Sequence, residues 1–290
     1  MPKTETIATC PLCGRASSSK LGEFSYQDTR LAAVRCNECI LVYVNPCRSA
    51  GDLEGYFQTF TKTDRSELAR WYKNKLPNLD WDIRHLQRLV PLGVLLDVGC
   101  GHGFLARVAQ EQGYIVQGVE ISKPLASLVS QELGISVFPG AVQEASFPEG
   151  AFDVVTCMDV LYYCPAPLID LREMYRMLRP GGVIAVRVLT RIGYARAWQR
   201  ITRSSTWDGN PFFEKDHILH FSVGTMCRML AAAGYEILRV YPSHLTYWKR
   251  YPAGVQVVRK LSDWGFQTLW RLSGERVGRK PTHARETGRA

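Results

Sequence analysis

From Val94 onward the chain alternates short apolar runs with amphipathic stretches, and this pattern restricts the fold more than any other feature. Apolar runs at 94–98, 114–119, 135–138, 152–157 and 183–189 read as strands, and residues 104–112, 123–133, 167–178 and 223–233 read as helices. Strands that are almost continuously apolar are those buried on both faces. The alternation therefore predicts an α/β, doubly wound parallel sheet with helices on either side. Gly113, Gly134 and Gly234 stand where three of these helices should stop.

The first strand runs into "DVGCGHGF", residues 97–104, and then into the first helix, which is where a doubly wound sheet holds nucleotide-like ligands. Its glycines, Gly99, Gly101 and Gly103, follow G-x-G-x-G rather than the G-x-G-x-x-G that packs a pyrophosphate against a helix. Asp97 precedes them; a carboxylate there suits a ligand carrying an ammonium group and repels a diphosphate. Glu120, ending the second strand in "GVEIS", has the placement of an acid that accepts hydrogen bonds from ribose hydroxyls. A ligand with a ribose, an adenine and an ammonium group but no phosphate describes S-adenosylmethionine. The same features disfavour a nicotinamide oxidoreductase.

Over residues 92–241 the sequence resembles the class I S-adenosylmethionine-dependent methyltransferases, through "LLDVGCGHGF", "GVEIS", "FPEGAFDVVTCMDVL" and "MYRMLRPGG" in that order. The resemblance implies a Rossmann-like methyltransferase sheet. It also implies a cradle made by Asp97, Gly99, Cys100, Gly101 and Gly103, with Glu120 and Ile121 at the ribose and Ala141, Val142 and Gln143 along the adenine. Cys157, Met158 and Asp159 are implied to lie beside the methionine moiety.

The first forty-seven residues follow a different logic. "CPLCG" and "CNEC" place Cys10, Cys13, Cys36 and Cys39 as two C-x2-C pairs, a spacing that suits one tetrahedral zinc ion. Four thiolates leave no open position, so the expected zinc is structural. Gly14 can take the positive φ such a knuckle demands, whereas the second knuckle has Ile40 at that place; Cys47 stands outside the pattern. "LVYVNP" reads as a short strand, and residues 66–90 read as two helices broken at Leu76-Pro77-Asn78, serving as a lid or wall. This order resembles the bacterial methyltransferase branch with an N-terminal zinc ribbon, whose members act on sugars and on lipid-linked or polyketide-like small molecules. The expected division is a zinc ribbon at 1–47, a helical linker at 48–91, the cofactor domain at 92–241 and a tail at 242–290.

For a hydroxyl acceptor the proton has to be removed, and histidine has the unperturbed pKa best suited to that near neutrality. His217 and His220 in "HILHFS" follow the fifth strand, in the region that faces substrate in this fold, and are the candidate bases. Many relatives carry Glu-His where this chain has Tyr162-Tyr163, which admits those tyrosines as acceptor-positioning groups. Residues 190–216, rich in aromatics and arginines, form a long insertion of the kind that makes a lid or binding loop.

The net charge of +9 is concentrated at the end, with ten Lys/Arg against three Asp/Glu in residues 248–290. A near-neutral core argues against a nucleic-acid footprint spread over the folded domain, and disfavours an RNA methyltransferase. Retention of Asp97, the three glycines and Glu120 disfavours a non-catalytic binding module. Residues 255–272 fit a basic amphipathic helix able to touch an anionic membrane surface, followed by a disordered end; no convincing seventh strand is visible after Tyr241. The absence of a membrane-length apolar window and of a secretory leader predicts a cytoplasmic protein.

Overall fold

Two sheets and a short two-stranded pair organise the computed structural model, which describes residues 3–59, 64–240 and 276–279. The central sheet contains β6 (Val94–Val98), β7 (Ile115–Glu120), β8 (Ser136–Pro139), β9 (Phe152–Met158), β10 (Leu178–Arg187), β12 (Glu236–Val240) and β13 (Arg276–Arg279). Their order is β12-β13-β10-β9-β6-β7-β8, with β8 through β10 mutually parallel. Helices α3 (Phe104–Glu111), α4 (Lys123–Leu133) and α5 (Pro167–Met177) follow β6, β7 and β9, and α7 (Val223–Ala232) precedes β12, on the sheet's two faces. Side chains alternate across each strand: Leu95 and Val154 belong to one apolar core, Leu96 and Val155 to the other.

The seventh strand exists. Residues Arg276–Arg279 pair antiparallel with both β10 and β12, so these four do not form part of a disordered end. "RVGR" carries one apolar residue in four, too little to read as a strand from alternation. The amphipathic stretch at 255–272 lies outside the described residues. Among the described residues no helix is long and apolar enough to cross a membrane.

A second correction concerns residues 66–90. One helix, α2 (Arg65–Gln87), runs unbroken through Pro77. Its start is fixed by Asp64, whose carboxylate accepts from the Glu67 N–H at 2.9 Å. An interior proline costs about 3 kcal/mol. Burial of Leu79, Ile83 and Leu86 against the α3 side of the sheet, at about 1.5–3 kcal/mol each, outweighs that cost.

The N-terminal segment builds a four-stranded antiparallel sheet from β2 (Ser18–Tyr26), β3 (Thr29–Cys36), β4 (Val42–Val44) and, unexpectedly, β11 (Leu219–His220). β1 (Thr4–Glu5) pairs separately with β5 (Cys47–Arg48), leading into α1 (Ala50–Thr59). The insertion after β10 forms α6 (Ile192–Thr202) and then lays its aromatic residues on the ribbon. Trp207 is buried beside Gly22 and donates its backbone N–H to Glu23 O, and Phe213 meets Phe24 edge-on at 5.0 Å. One apolar core consequently runs from Phe24, Leu41 and Val44 of the ribbon through to Leu96 and Val155 of the central sheet.

Candidate active site

A cavity of about 750 Å³ opens at the carboxyl ends of β6, β7 and β9, where a doubly wound sheet places its ligand. Its floor is the glycine turn. The N–H groups of Gly99 and Cys100 both donate to Val119 O, and that of Gly101 donates to the Glu120 carboxylate at 2.8 Å. Gly101 has φ +54, and a Cβ built on it meets nothing within 4 Å: it would project into open cavity. At Gly103 a Cβ would lie 2.8 Å from Val129 Cγ1 and 2.9 Å from Leu133 Cδ1, so that glycine permits α3 to pack against α4 and does not line the cavity.

Two buried acids flank the turn. Asp97 accepts from Thr156 Oγ1 at 2.8 Å; burial, reinforced by the nearby Glu120 charge, pushes its pKa up to about 7. Glu120 is also raised by burial, although the N–H groups of Ser122 and Gly101 partly offset this. Beyond them Ile121, Val142 and Gln143 line the wall, with the Gln143 amide donating to Asp170. Burial raises Asp170 to about 6. Gln58 of α1, which the sequence did not single out, ties this wall down by donating to Ile121 O and accepting from the Lys123 N–H.

The strand alternation separates the two β9 candidates. Met158 lines the cavity, while Cys157 is fully buried and does not reach it. Cys100 lines the floor with its thiol buried beneath the turn, and burial raises both thiols well above the ordinary range. Asp159, next along, holds a left-handed backbone at φ +63. Its Oδ2 accepts from the guanidinium of Arg187 at 2.9 and 3.1 Å, and Arg187 in turn donates to Asp82 of α2 at 2.7 Å. Neither Arg187 nor Asp82 was visible as a site residue in the sequence. They are distant from each other in the chain, and only the fold joins them.

The two histidines part company. His217 lies on the cavity wall, stacked on Tyr162 with ring centres 3.7 Å apart and set edge-on to Tyr163. Burial lowers its pKa to about 4, so the ring is neutral at pH 7. Asp216 beside it accepts from the Tyr163 hydroxyl at 3.3 Å. His220 is not on the cavity wall; it sits in β11 opposite Val42, stacked on Phe213, and burial lowers it well below the ordinary range.

At the other end of the ribbon the four cysteine sulfurs lie within 4.8 Å of one another, with Cys10–Cys39 at 3.4 Å and Cys13–Cys36 at 3.5 Å. A tetrahedral zinc with sulfur ligands near 2.3 Å wants sulfurs about 3.8 Å apart. The donor set and its size fit that ion. Each knuckle closes with an equivalent hydrogen bond, Gly14 N to Cys10 O and Ile40 N to Cys36 O, and Ile40 accordingly takes φ +60 without being glycine.

This sheet order, with a glycine turn between β6 and α3 and acids at the ends of β6 and β7, defines the class I S-adenosylmethionine-dependent methyltransferase type. A family model described as a methyltransferase domain matches residues 65–240, and the chain belongs to that family. It is similar to the ubiquinone biosynthesis O-methyltransferase of Aeromonas salmonicida, 32% identical over 146 residues that make up 48% of this chain and 61% of that one. The corresponding protein of Aliivibrio fischeri (strain MJ11) is 34% identical over 139 residues, 43% of this chain and 59% of its own. The chain therefore spans less than two thirds of the length of these relatives. The fold is shared with the 1,6-didemethyltoxoflavin-N1-methyltransferase of Burkholderia thailandensis, solved with 1,6-didemethyltoxoflavin and S-adenosylhomocysteine. The TM-score is 0.51 at 16% identity, covering 89% of this chain and 98% of that one. An S-adenosylmethionine-dependent methyltransferase from Thermotoga maritima gives 0.51 at 19% identity over 78% and 99%.

Proposed function

We propose that the chain methylates a hydroxyl group on a small-molecule acceptor, with S-adenosylmethionine as donor and one structural zinc on Cys10, Cys13, Cys36 and Cys39. The donor supplies an electrophilic methyl group when bound. Asp97, ionised, complements positive charge; the open face of Gly101 leaves room against the backbone; Glu120 accepts from ribose hydroxyls. Met158 marks the point where the cradle passes into the acceptor half.

The observation that carries the reading is that His217 shares one continuous cavity with that cradle, as a buried and neutral imidazole. A hydroxyl placed against the ring gives up its proton there as the oxygen becomes bonded to carbon. Tyr162 fixes the ring plane by stacking, while Tyr163 and Asp216 offer polar contacts to the acceptor. Alignment of this kind supplies roughly 7–11 kcal/mol of barrier reduction. The relatives named as O-methyltransferases support a hydroxyl acceptor.

The experiment is a two-part assay. Calorimetry with S-adenosylhomocysteine tests the cradle, and S-adenosylhomocysteine release from S-adenosylmethionine over a panel of phenols, sugars and hydroxylated polyketides tests the acceptor. Binding with turnover on a hydroxylated compound is expected. Turnover confined to amines or to carbon acceptors would overturn the hydroxyl assignment, and absent binding would overturn the donor.

A further inference from the structure

We infer that the zinc ribbon is a positioning element for the acceptor half of the cavity, and that the cofactor cradle does not depend on it. This rests on the methyl-transfer reading of the cavity and assigns the ribbon a place in it.

The connection is a short chain of backbone hydrogen bonds. The second zinc knuckle closes with Cys36 N donating to Leu41 O, and the chain passes without a loop into β4. From β4, Val44 donates its N–H to Ile218 O at 2.8 Å, and Tyr43 and Val42 pair with Leu219 and His220 of β11. Ile218 then donates its own N–H to Tyr162 O at 2.8 Å. The residues immediately before it, Asp216 and His217, and the residue that it holds, Tyr162, all line the cavity. A second clasp joins the same knuckle to α7, where the Arg228 guanidinium donates to Cys39 O at 2.6 Å.

A two-residue strand such as β11 fixes too few backbone groups to stand alone, so its order is borrowed from β4. β4 in turn spans three residues, pairs on its other side with β3, and begins one short turn after the cysteine pair Cys36 and Cys39. The order of His217 thus traces back to the thiolate cluster. The glycine cradle has other support: it rests on β6 and β7, interior strands of the central sheet, each paired on both sides. Loss of zinc should therefore leave a chain that binds S-adenosylhomocysteine but no longer holds an acceptor in line with it.

Amide hydrogen exchange on the full-length, zinc-loaded chain tests this before and after chelation, and again in Cys36→Ser. Peptides covering 40–45 and 216–221 are expected to exchange together, about tenfold faster or more once zinc is lost. Peptides covering 95–120 should keep their protection, and calorimetry should return an unchanged S-adenosylhomocysteine Kd. Arg228→Met, which retains all four cysteines, should produce a smaller rise in the same two segments and decides the matter if Cys36→Ser fails to fold. Opening of 40–45 with 216–221 unmoved overturns the proposal, as does equal opening of 95–120. Failure of the zinc-loaded wild type to bind S-adenosylhomocysteine is a separate outcome: it sinks the methyltransferase reading, while the exchange pattern still judges the ribbon.

Discussion

Asp97 gives the sharpest prediction, because its carboxyl is held at a pKa of about 7 in the free protein by complete burial. A ligand that brings an ammonium group and a sulfonium towards this carboxyl favours its ionised form, so binding and deprotonation are linked. With a free-state pKa of about 7, the ionised fraction is about one half at pH 7, roughly one in eleven at pH 6 and roughly ten in eleven at pH 8. The S-adenosylhomocysteine Kd, whose ammonium serves for the measurement, should weaken about fivefold from pH 7 to 6 and about tenfold from pH 8 to 6. Calorimetry at pH 7 in two buffers of different ionisation enthalpy should register release of about half a proton per site. Asp97→Asn keeps the shape and the bond from Thr156; it should flatten the slope and, by losing a charged contact worth about 1.5–3 kcal/mol, weaken binding at pH 8 by roughly 10- to 100-fold. The effect on the fold has the opposite sign. A folded pKa raised above the unfolded value means that the native state holds the extra proton, so the free protein loses stability as pH rises from about 4 to about 7, and Asp97→Asn should raise its Tm at pH 8. His217, near 4, does not titrate in this range. Asp170, near 6, contributes at the acid end, and the Asn variant separates its share. A Kd constant from pH 6 to 8, or a slope that survives at full size in Asp97→Asn, would refute the reasoning.

Gly101→Val should abolish S-adenosylhomocysteine binding, since its side chain would enter cavity that a Cβ meets as open space; circular dichroism should confirm a retained fold. Ile40→Gly should raise stability by about 1 kcal/mol, measured as an upward shift in Tm of the zinc-loaded protein, because a β-branched residue there holds φ +60. His217→Ala should cost roughly 10²- to 10⁴-fold in turnover on a hydroxylated acceptor without moving cofactor affinity. With wild type, the rate should stay level as pH falls from 8 to about 5.5 once cofactor is saturating, since the base is neutral above its pKa of about 4. His220→Ala, at a residue stacked inside the sheet, should instead lower Tm.

The parts of the site that could be read in the sequence are those dictated by backbone. Asp97, the glycine turn and Glu120 lie within 24 residues, at the ends of two strands whose composition leaves little choice of structure. The four cysteines were legible for a similar reason, since two tight knuckles need only local chain. What escaped was set by pairings between distant segments. Nothing in "ILHF" signals that Leu219 and His220 would complete a sheet begun near the N-terminus, and without that pairing His220 reads as equivalent to His217. Asp82 reaches the Arg187–Asp159 pair because α2 runs straight through Pro77, against the local preference of that residue. Ile40 shows the same conflict on a smaller scale: the cysteine geometry imposes a left-handed turn that its own side chain opposes.

The insertion of β13 between β10 and β12 has a consequence for how the molecule is made. Among the described strands, β12 joins the parallel ones through this four-residue spacer, which leaves the ribosome last among the described elements. Until then no described strand pairs with the outer edge of β10, whose amides and carbonyls are a ready template for another chain. At roughly 5–20 residues per second, synthesis of the 88 residues between Arg187 and Arg276 separates β10 from its partner β13 by roughly 4–18 seconds. The nascent chain should accordingly be most prone to aggregate, and most receptive to chaperones, after its cofactor cradle has formed and before its sheet is closed.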